Sequence, residues 1–218
     1  MKEFIFISTV VLAALLLAAN GYSTEKNNFK ITSWNIMALT SKPFKSVITG
    51  VNSTRIKIDY ERISSYIGEI DADIISLQEI SDINALDKIL SPYGYKYMFS
   101  PRSENPSKRS ENDIFTAIAV RDNDRIEFSP VQEIIGTSFE TKSDRYTRSA
   151  IYTDIYFDKV YQFTFVAVHL KSGCSSTQKI SKSSRGDCLT LHKQIKAIGK
   201  WAAEQKEKRI IYAGDFNR

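Results

Sequence analysis

Several signatures that would assign a function class directly are missing from this sequence. It contains no glycine-rich nucleotide-binding loop, no internal repeat and no low-complexity segment. Cysteine is scarce, with only 2 among 218 residues, and two cysteines without a second pair lack the ligand pattern of a zinc site. These absences exclude a glycine-loop nucleotide-binding protein, a repeat protein and a cysteine-rich zinc domain.

The composition is that of one globular domain with a sizeable core. Hydrophobic residues make up 42% of the chain and charged residues 25%, proportions typical of a folded domain rather than a disordered or fibrous chain. The net charge of +5 and the pI near 9.0 favour polyanionic partners such as nucleic acid or an anionic membrane surface. Ordinary solubility charge explains the same excess equally well, and no stable protein partner is inferred.

A long hydrophobic run opens the chain. The stretch from Phe4 to Ala19 is almost entirely apolar, follows Lys2 and precedes a polar segment. A membrane-spanning helix needs about 20 apolar residues, so this shorter run is typical of a secretory signal peptide. We expect residues 1–22 to be the signal peptide and residues 23–218 to form a secreted or periplasmic domain. An uncleaved membrane anchor is the alternative, and no cysteine lies near the end of the run to carry a lipid.

Export also determines how the two cysteines are interpreted. Disulfides persist in oxidising compartments, so we expect Cys174 and Cys188 to be bonded to each other, with free thiols as the alternative. The bridge would close a short loop, which is worth about 3 kcal/mol in the chain-entropy model.

Hydrophobic periodicity predicts several strands and three helices. Apolar residues spaced three and four apart predict amphipathic helices from Ile56 to Ile70, from Ile83 to Leu90, and after Asp187, the expected N-cap of the third helix. The apolar face of this third helix is expected to consist of Leu191, Ile195, Ile198 and Ala202. Apolar or alternating runs predict strands at 29–36, 72–79, 93–99, 115–120, 126–135, 148–157, 160–169 and 209–217.

Four of the predicted strands end in polar residues that suit chemistry on phosphate or metal. Asn35, Glu79 and His169 each lie at a strand end, and Asp215 and Asn217 end the last strand. Taken alone, the asparagine is a common turn former, the glutamate an ordinary surface residue and the histidine more often a satisfied core group. Their recurrence at strand ends, where functional residues concentrate, favours one shared site.

The last strand carries two such groups together. Side chains alternate between the two faces of a strand, so Asp215 and Asn217 are expected on one face and Phe216 in the opposite layer. Gly214, which precedes them, allows backbone or ligand to approach closely at the strand end.

Four short motifs, in chain order, carry a resemblance to a known family: Ser33-Trp34-Asn35-Ile36, Leu77-Gln78-Glu79, Val168-His169-Leu170-Lys171 and Gly214-Asp215-Phe216-Asn217. Together they closely resemble the endonuclease/exonuclease/phosphatase superfamily, which includes the pancreatic-type deoxyribonucleases and the neutral sphingomyelinases. The resemblance covers residues 30–218. It implies an α+β fold, a two-sheet β-sandwich flanked by helices in four layers.

The resemblance also implies a metal site. Glu79 matches the metal-binding glutamate of the family, and Asn35 matches the asparagine that helps to orient that site. A hard carboxylate oxygen suits Mg²⁺ or Mn²⁺, which keep several waters and bridge to substrate phosphate. Ca²⁺ is a further option in a structural capacity.

The remaining site residues take their implied roles from the same resemblance. Asp215 matches the aspartate that positions or activates the attacking water, and Asn217 would donate hydrogen bonds to phosphoryl oxygens. His169 matches the histidine that contacts the scissile phosphate, and Arg148 is the counterpart of a phosphate-binding arginine. The implied reaction is in-line attack of water on a phosphodiester, with metal, histidine and arginine stabilising charge on the phosphoryl oxygens.

Two basic loops favour nucleic acid as the substrate. The loop 101–113 contains Arg102 and Arg109, and Lys171 opens the second basic segment; we expect these three residues to contact substrate phosphates. A sphingomyelinase-type phosphodiesterase that binds a lipid head group is the alternative. A binding protein that has lost catalysis on the same fold is the third hypothesis, and the presence of all the matched site residues argues against it.

The resemblance further implies that family domains continue past Asn217. They add further strands and a terminal Asp-His pair, whose histidine is the general base. Loss of a general base typically costs about 10² to 10⁴ in rate. The 218-residue chain is therefore expected to lack the last strands of the sandwich, to be poorly stable and to be nearly inactive.

Overall fold

The computed structural model describes most of the chain, namely residues 28–43, 45–46, 54–108, 113–140, 146–175, 177, 180–181 and 186–217. The predicted signal peptide, residues 1–22, and Arg109 lie outside this described part. Within it, no helix combines the length and the apolar character needed to cross a membrane.

Two mixed β-sheets lie at the centre of the molecule. The first contains β1 (Ile31–Leu39), β2 (Ile74–Ile80), β3 (Tyr95–Phe99) and β4 (Phe115–Arg121). Its strand order is β1-β2-β4-β3. β1 and β2 run parallel, whereas β4 is antiparallel to both β2 and β3.

The second sheet follows in the chain and has a similar mixture of strand directions. It contains β5 (Ile126–Phe128), β6 (Gln132–Glu133), β7 (Ile151–Phe157), β8 (Val160–His169) and β9 (Ile210–Asp215). The order is β5-β7-β8-β9, and β6 pairs with β7 beside β5. β8 and β9 run parallel, while β7 is antiparallel to β5, β6 and β8.

In the described part of the chain, three α-helices cover the outer faces of the two sheets, namely α1 (Lys57–Ile70), α2 (Ile83–Leu90) and α3 (Gly186–Glu204). α1 and α2 pack on the first sheet through a core that includes Ile67 and Ile75. α3 packs on the second sheet through a core that includes Val166 and Leu191. A further core, which includes Phe165, fills the space between the two sheets. The predicted α+β sandwich of four layers is therefore confirmed.

The alternation of β8 explains how one strand serves two cores. Phe163, Phe165 and Ala167 belong to the core between the sheets, while Val166 and Val168 belong to the core under α3. Successive side chains of a strand point to opposite faces, and both faces of this strand are covered. Phe163, Phe165 and Ala167 therefore share one face of the strand.

Several predicted strand bounds differ from the observed elements, and proline explains two of the differences. The segment 126–135 forms the separate short strands β5 and β6, and the residues between them include Pro130, which has no N–H to donate to a ladder. Tyr93, the predicted start of the third strand of the first sheet, ends a short 3₁₀-helix with Ser91 and Pro92. Proline fixes its own φ in the helical range and favours the first turn of a helix.

Three of the four residues predicted for the apolar face of the third helix, Leu191, Ile198 and Ala202, lie in or against the core beneath α3, and only the prediction of Ile195 is wrong. The buried residues of α3 include Cys188, Leu191, Gln194 and Trp201, whereas Ile195 is 44% exposed. Asp187 lies in the first turn, because α3 already begins at Gly186, and is therefore not the N-cap. A buried glutamine thus occupies a position that hydrophobicity alone assigns to its neighbour.

The disulfide expected from export is present. Cys174 and Cys188 are joined by an S–S bond of 2.09 Å. Both residues are buried in the core beneath α3, so the bridge attaches the start of α3 to the loop that follows β8.

Candidate active site

Parallel pairing brings four strand ends together at one edge of the sandwich. In the first sheet Asn35 of β1 pairs with Gln78, directly before Glu79 in β2. In the second sheet His169 of β8 pairs with Asp215 of β9. Parallel neighbours end at the same edge of a sheet, and β1 also contacts β9 across the sandwich. The polar groups of both sheets therefore meet at this edge.

A glycine allows β9 to approach β8 closely beside these residues. Gly214 pairs with Val168 and has a φ of 144°. A Cβ atom at this position would lie 2.0 Å from the carbonyl oxygen of Val168. The close backbone approach predicted at Gly214 is confirmed.

Asn35 connects two carboxylates that come from different sheets. Its Nδ2 atom donates to Glu79 Oε1 at 2.9 Å and to Asp215 Oδ2 at 3.0 Å. Its Oδ1 atom accepts from the backbone N–H of Met37 at 3.0 Å. Because Nδ2 donates to both carboxylates, Asn35 holds them in place.

His169 lies beside both carboxylates and is buried. Its Nε2 atom is 3.7 Å from Glu79 Oε1, 3.8 Å from Asp215 Oδ2 and 3.2 Å from Arg148 Nη2. Burial and the positive charge of Arg148 lower the pKa of His169 to about 3, although Asp215 acts in the opposite direction. The imidazole is therefore neutral at physiological pH.

The arginine also determines the tautomer of this histidine. A guanidinium nitrogen can only donate, so His169 Nε2 accepts from Arg148 Nη2 and the proton resides on Nδ1. Among the described residues Nδ1 is buried without a hydrogen-bond partner. The N–H of Nδ1 is therefore unused within the described part of the chain, while Nε2 is the ring nitrogen beside the two carboxylates.

Arg148 supplies positive charge from the segment before β7. Its Nη2 atom donates to the Leu170 carbonyl at 2.7 Å as well as contacting His169. Burial lowers the pKa of Arg148, while the charges of Glu79 and Asp215 raise it; an arginine remains protonated under such conditions. Its Nε atom is buried and has no partner among the described residues.

Asn217 joins the group through a turn and not through strand alternation. β9 ends at Asp215, and Asn217 has a φ of 43°. The Asn217 N–H donates to Asp215 Oδ1 at 3.0 Å, and its Nδ2 donates to the Leu170 carbonyl at 3.2 Å. Phe216 is 49% exposed, so the expectation that it packs into the opposite layer is wrong, because the chain has already left the strand.

Two of the three expected substrate-contacting basic residues are engaged within the protein. Lys171 forms an ion pair with Asp187 at 2.9 Å. Arg102 is buried and pairs with Asp113 at 2.7 Å, and its guanidinium lies over the Phe115 ring. The prediction that Arg102 contacts substrate is therefore corrected: the loop folds inward as short 3₁₀-helices and gives this cation a structural partner. Arg109 lies outside the described residues.

Gln194 of α3 was missed from the sequence and holds this region together. Its Oε1 atom accepts from Lys171 N at 2.8 Å, and its Nε2 atom donates to the carbonyls of Thr137 at 3.0 Å and Arg148 at 3.3 Å. The side chain is fully buried. The sequence did contain one indication of its role: Gln194 lies three residues after Leu191, on the apolar stripe of the helix. A buried amide at such a position needs buried hydrogen-bond partners.

The donor set at this edge fits a hard divalent cation. The carboxylate oxygens of Glu79 and Asp215 share one donor of Asn35 and lie at similar distances from His169 Nε2. Proteins hold Mg²⁺ through one or two carboxylates and several waters. The described part of the chain contains no group of three or more His, Cys, Asp and Glu side chains placed to hold a metal, so an ion bound here would retain water ligands.

Comparison with known proteins identifies the fold. No family model matches the chain, and no curated protein matches it. Solved structures do match: D. rerio TDP2 complexed with single-strand DNA product has a TM-score of 0.55 at 21% identity, over 87% of this chain and 61% of that chain. An endonuclease/exonuclease/phosphatase family protein from Bacteroides thetaiotaomicron has a TM-score of 0.59 at 17% identity, over 86% and 63%.

A third similar structure is a β-hairpin deletion mutant of beta toxin from Staphylococcus aureus. Its TM-score is 0.57 at 18% identity, and the match covers 88% of this chain and 68% of that chain. The present chain spans less than two thirds of the TDP2 and Bacteroides chains. Four layers, mixed sheets and these neighbours agree, and the chain has the fold of the endonuclease/exonuclease/phosphatase, or deoxyribonuclease I-like, proteins.

Proposed function

We propose that this protein is an exported, metal-dependent phosphodiesterase that hydrolyses nucleic acid. The observation that carries the proposal is the meeting of Asn35, Glu79, Asp215 and His169 between the two sheets, with Arg148 beside them. Two carboxylates, a neutral imidazole and a buried guanidinium are the groups needed to hold a metal, a water and a phosphate. The shared fold of phosphodiesterases and nucleases supports the same reaction class.

The two carboxylates and Asn35 have different roles in the proposed reaction. Glu79 is the principal candidate to hold Mg²⁺ or Mn²⁺, and such an ion, when bound, stabilises negative charge on phosphoryl oxygens. Asp215 accepts a hydrogen bond from the attacking water and orients it. Asn35 keeps the two carboxylates at a fixed separation, since its Nδ2 donates to both.

The substrate phosphate is bound by hydrogen-bond donors and positive charge rather than by additional carboxylates. Arg148 provides a permanent positive charge, and burial keeps His169 neutral, so the imidazole beside it adds no charge of its own. Asn217 Nδ2 has a second N–H beyond the one given to Leu170. Preorganised donors of this kind stabilise the charge that develops in the transition state.

Nucleic acid is the favoured substrate class. The net charge of +5 supports a polyanionic substrate, as does the likeness to a TDP2 structure that contains single-strand DNA. A lipid phosphodiesterase of the sphingomyelinase kind is the second candidate, because Arg148, His169 and Asn217 address the phosphate and not the groups attached to it. Export is supported by the apolar run from Phe4 to Ala19 and by the disulfide.

The test is a hydrolysis assay of the full chain with plasmid DNA, RNA and sphingomyelin side by side. Mg²⁺, Mn²⁺ and Ca²⁺ are added separately, and EDTA provides the metal-free state. We expect slow cleavage of a nucleic acid, reduced about 10² to 10⁴-fold by the expected lack of a general base, that requires a divalent ion and is lost in both Glu79→Gln and His169→Ala. Glu127→Gln is the matched control, since Glu127 is an exposed residue of β5 and its removal should leave the rate unchanged.

Three results would contradict the proposal. Cleavage of sphingomyelin alone would reassign the substrate to lipid. Nucleic-acid cleavage that survives EDTA would remove the metal. Tight binding of DNA without cleavage, under all three ions, would indicate a binding protein on this fold.

A further inference from the structure

A groove next to the candidate active site has features that the proposed hydrolysis does not use. It has a volume of about 280 Å³, and the residues important for the argument are Trp34, Asn35, Met37, Arg55, Arg62 and Tyr66. We call it the aromatic groove. Because Asn35 forms part of its wall and also donates to Glu79 and Asp215, the groove opens directly beside the carboxylate pair.

The first feature of the aromatic groove is apolar surface that is open to solvent. Tyr66 is 57% exposed and Met37 is 51% exposed. The rings of Trp34 and Tyr66 lie edge to face, with centroids 6.3 Å apart and an interplanar angle of 89°. Flat aromatic surface beside a polar site is suited to stacking on a nucleobase, since every base has a π-face.

The backbone of β1 creates this exposure. Met37 and Ala38 have φ values of 52° and 55°, and the pairing of β1 with β2 is irregular between Asn35 and Leu39. Such a bulge re-aims side chains and is common next to active sites. It turns Met37 outward on the same side as Asn35, so the groove wall and the carboxylate pair are set by one distortion.

The second feature is positive charge. Arg55 Nη2 donates to the carbonyls of Ile36 and Met37, each at 3.3 Å, which places a guanidinium on the bulge. Arg62, on the exposed side of α1, makes no ion pair or hydrogen bond with any residue that the structure describes. Asp59, the acidic residue of the groove, already accepts from the N–H of Ile56 at 2.9 Å. Two guanidinium groups and one carboxylate therefore line the groove.

We propose that the aromatic groove binds the nucleotide adjacent to the scissile phosphate of a single-stranded nucleic acid. The base stacks on Trp34 or Tyr66, and the neighbouring phosphate is held by Arg62 with Arg55. The proposal rests on the proposed function, which places the scissile phosphate at the carboxylate pair.

The test measures binding and hydrolysis separately on the full chain. Binding of a fluorescein-labelled eight-nucleotide DNA strand is followed by anisotropy in EDTA, across a series of salt concentrations. Arg62→Ala and Tyr66→Ala are compared with Lys57→Ala as matched control. Lys57 lies on the same helix and carries the same charge, but it lines a different groove with Pro43 and Lys88.

We expect Tyr66→Ala to weaken binding about tenfold, within the range found for one stacked base. Arg62→Ala should weaken it by a similar factor and reduce the slope of log K against log salt by about 0.7, the value for one phosphate on a single strand. Lys57→Ala should change neither by more than about twofold, the scale of a surface charge. Both groove residues are exposed, and circular dichroism checks that the variants fold.

The outcomes separate this proposal from the proposed function. If wild-type protein cleaves DNA but the groove variants bind the strand as well as Lys57→Ala does, the groove proposal is wrong and hydrolysis stands. If the groove variants lose binding while no variant or wild-type protein cleaves DNA, the groove proposal stands and hydrolysis is wrong. Binding and cleavage of sphingomyelin vesicles that are insensitive to Arg62→Ala, with no binding of DNA, would overturn both.

Discussion

Replacing Gly214 by alanine tests the close contact between β8 and β9 on which the site depends. The glycine has a φ of 144°, in a region that residues with a Cβ rarely adopt. An added Cβ would lie 2.0 Å from the oxygen of Val168 and 2.9 Å from its carbonyl carbon and its Cγ2. Two of these three atoms are backbone, so a rotamer change cannot relieve the clash and the strands must separate.

The expected loss of stability has two contributions. The unfavourable backbone conformation costs about 1–3 kcal/mol, and the forced displacement of a packed strand costs about 1–3 kcal/mol more. A loss of 3 kcal/mol lowers the Tm of a domain of this size by about 6–12 °C. Because Val168 pairs with Gly214 and His169 pairs with Asp215, separation at Gly214 also moves Asp215 away from His169.

The assay is thermal unfolding followed by circular dichroism, together with phosphodiesterase activity. Gly199→Ala is the matched control, since a Cβ at Gly199 in α3 meets no atom within 4 Å. In a helix interior this exchange raises stability by about 0.5–1 kcal/mol. A Gly214→Ala protein with the Tm of wild type would refute the reasoning, as would an equal destabilisation by Gly199→Ala.

Two further predictions concern residues that support the site from a distance. Burial raises the pKa of Asp82, but hydrogen bonds from Ser41 and its neighbours outweigh burial and hold it below 3.8. This lowered pKa means that the contribution of Asp82, the N-cap of α2, is complete above about pH 4 and lost as the pH falls through the folded-state pKa. Urea unfolding should show Asp82→Ala about 1–2 kcal/mol less stable than wild type at pH 7, with the difference shrinking below pH 4; a constant difference would contradict it. Gln194→Met keeps the side-chain volume but leaves Lys171 N and the Arg148 carbonyl unpaired; it should lower the free energy of unfolding by about 1–3 kcal/mol, and an unchanged urea midpoint would show that the buried amide contributes nothing.

Periodicity predicts elements well where the burial is purely apolar. The alternation in β8 and the stripe of α1 predict their faces, because apolar side chains such as Phe165 and Ile67 form most of the core contacts there. In α3 the same reasoning chose Ile195 over Gln194, although Ile195 is 44% exposed and Gln194 is buried. The amide is satisfied by three backbone groups from other segments. No local pattern reveals such partners, so hydropathy finds Leu191, Ile198 and Ala202 but misses the buried glutamine.

The candidate site, too, could be predicted from the sequence only in part. Its residue types could be recognised at strand ends, but the bond from Asn35 to Asp215 joins positions 180 residues apart in two different sheets. That bond depends on how the sheets pack, which alternation within one strand does not contain. The backbone conformation of the site could not be predicted from the sequence either. Glu79 has a φ of 63°, a left-handed conformation that costs a residue with a Cβ about 1–2 kcal/mol. A glycine would remove this cost, yet the chain places there a carboxylate that Asn35 and His169 both meet. The strained backbone is therefore an independent reason to regard Glu79 as a functional residue.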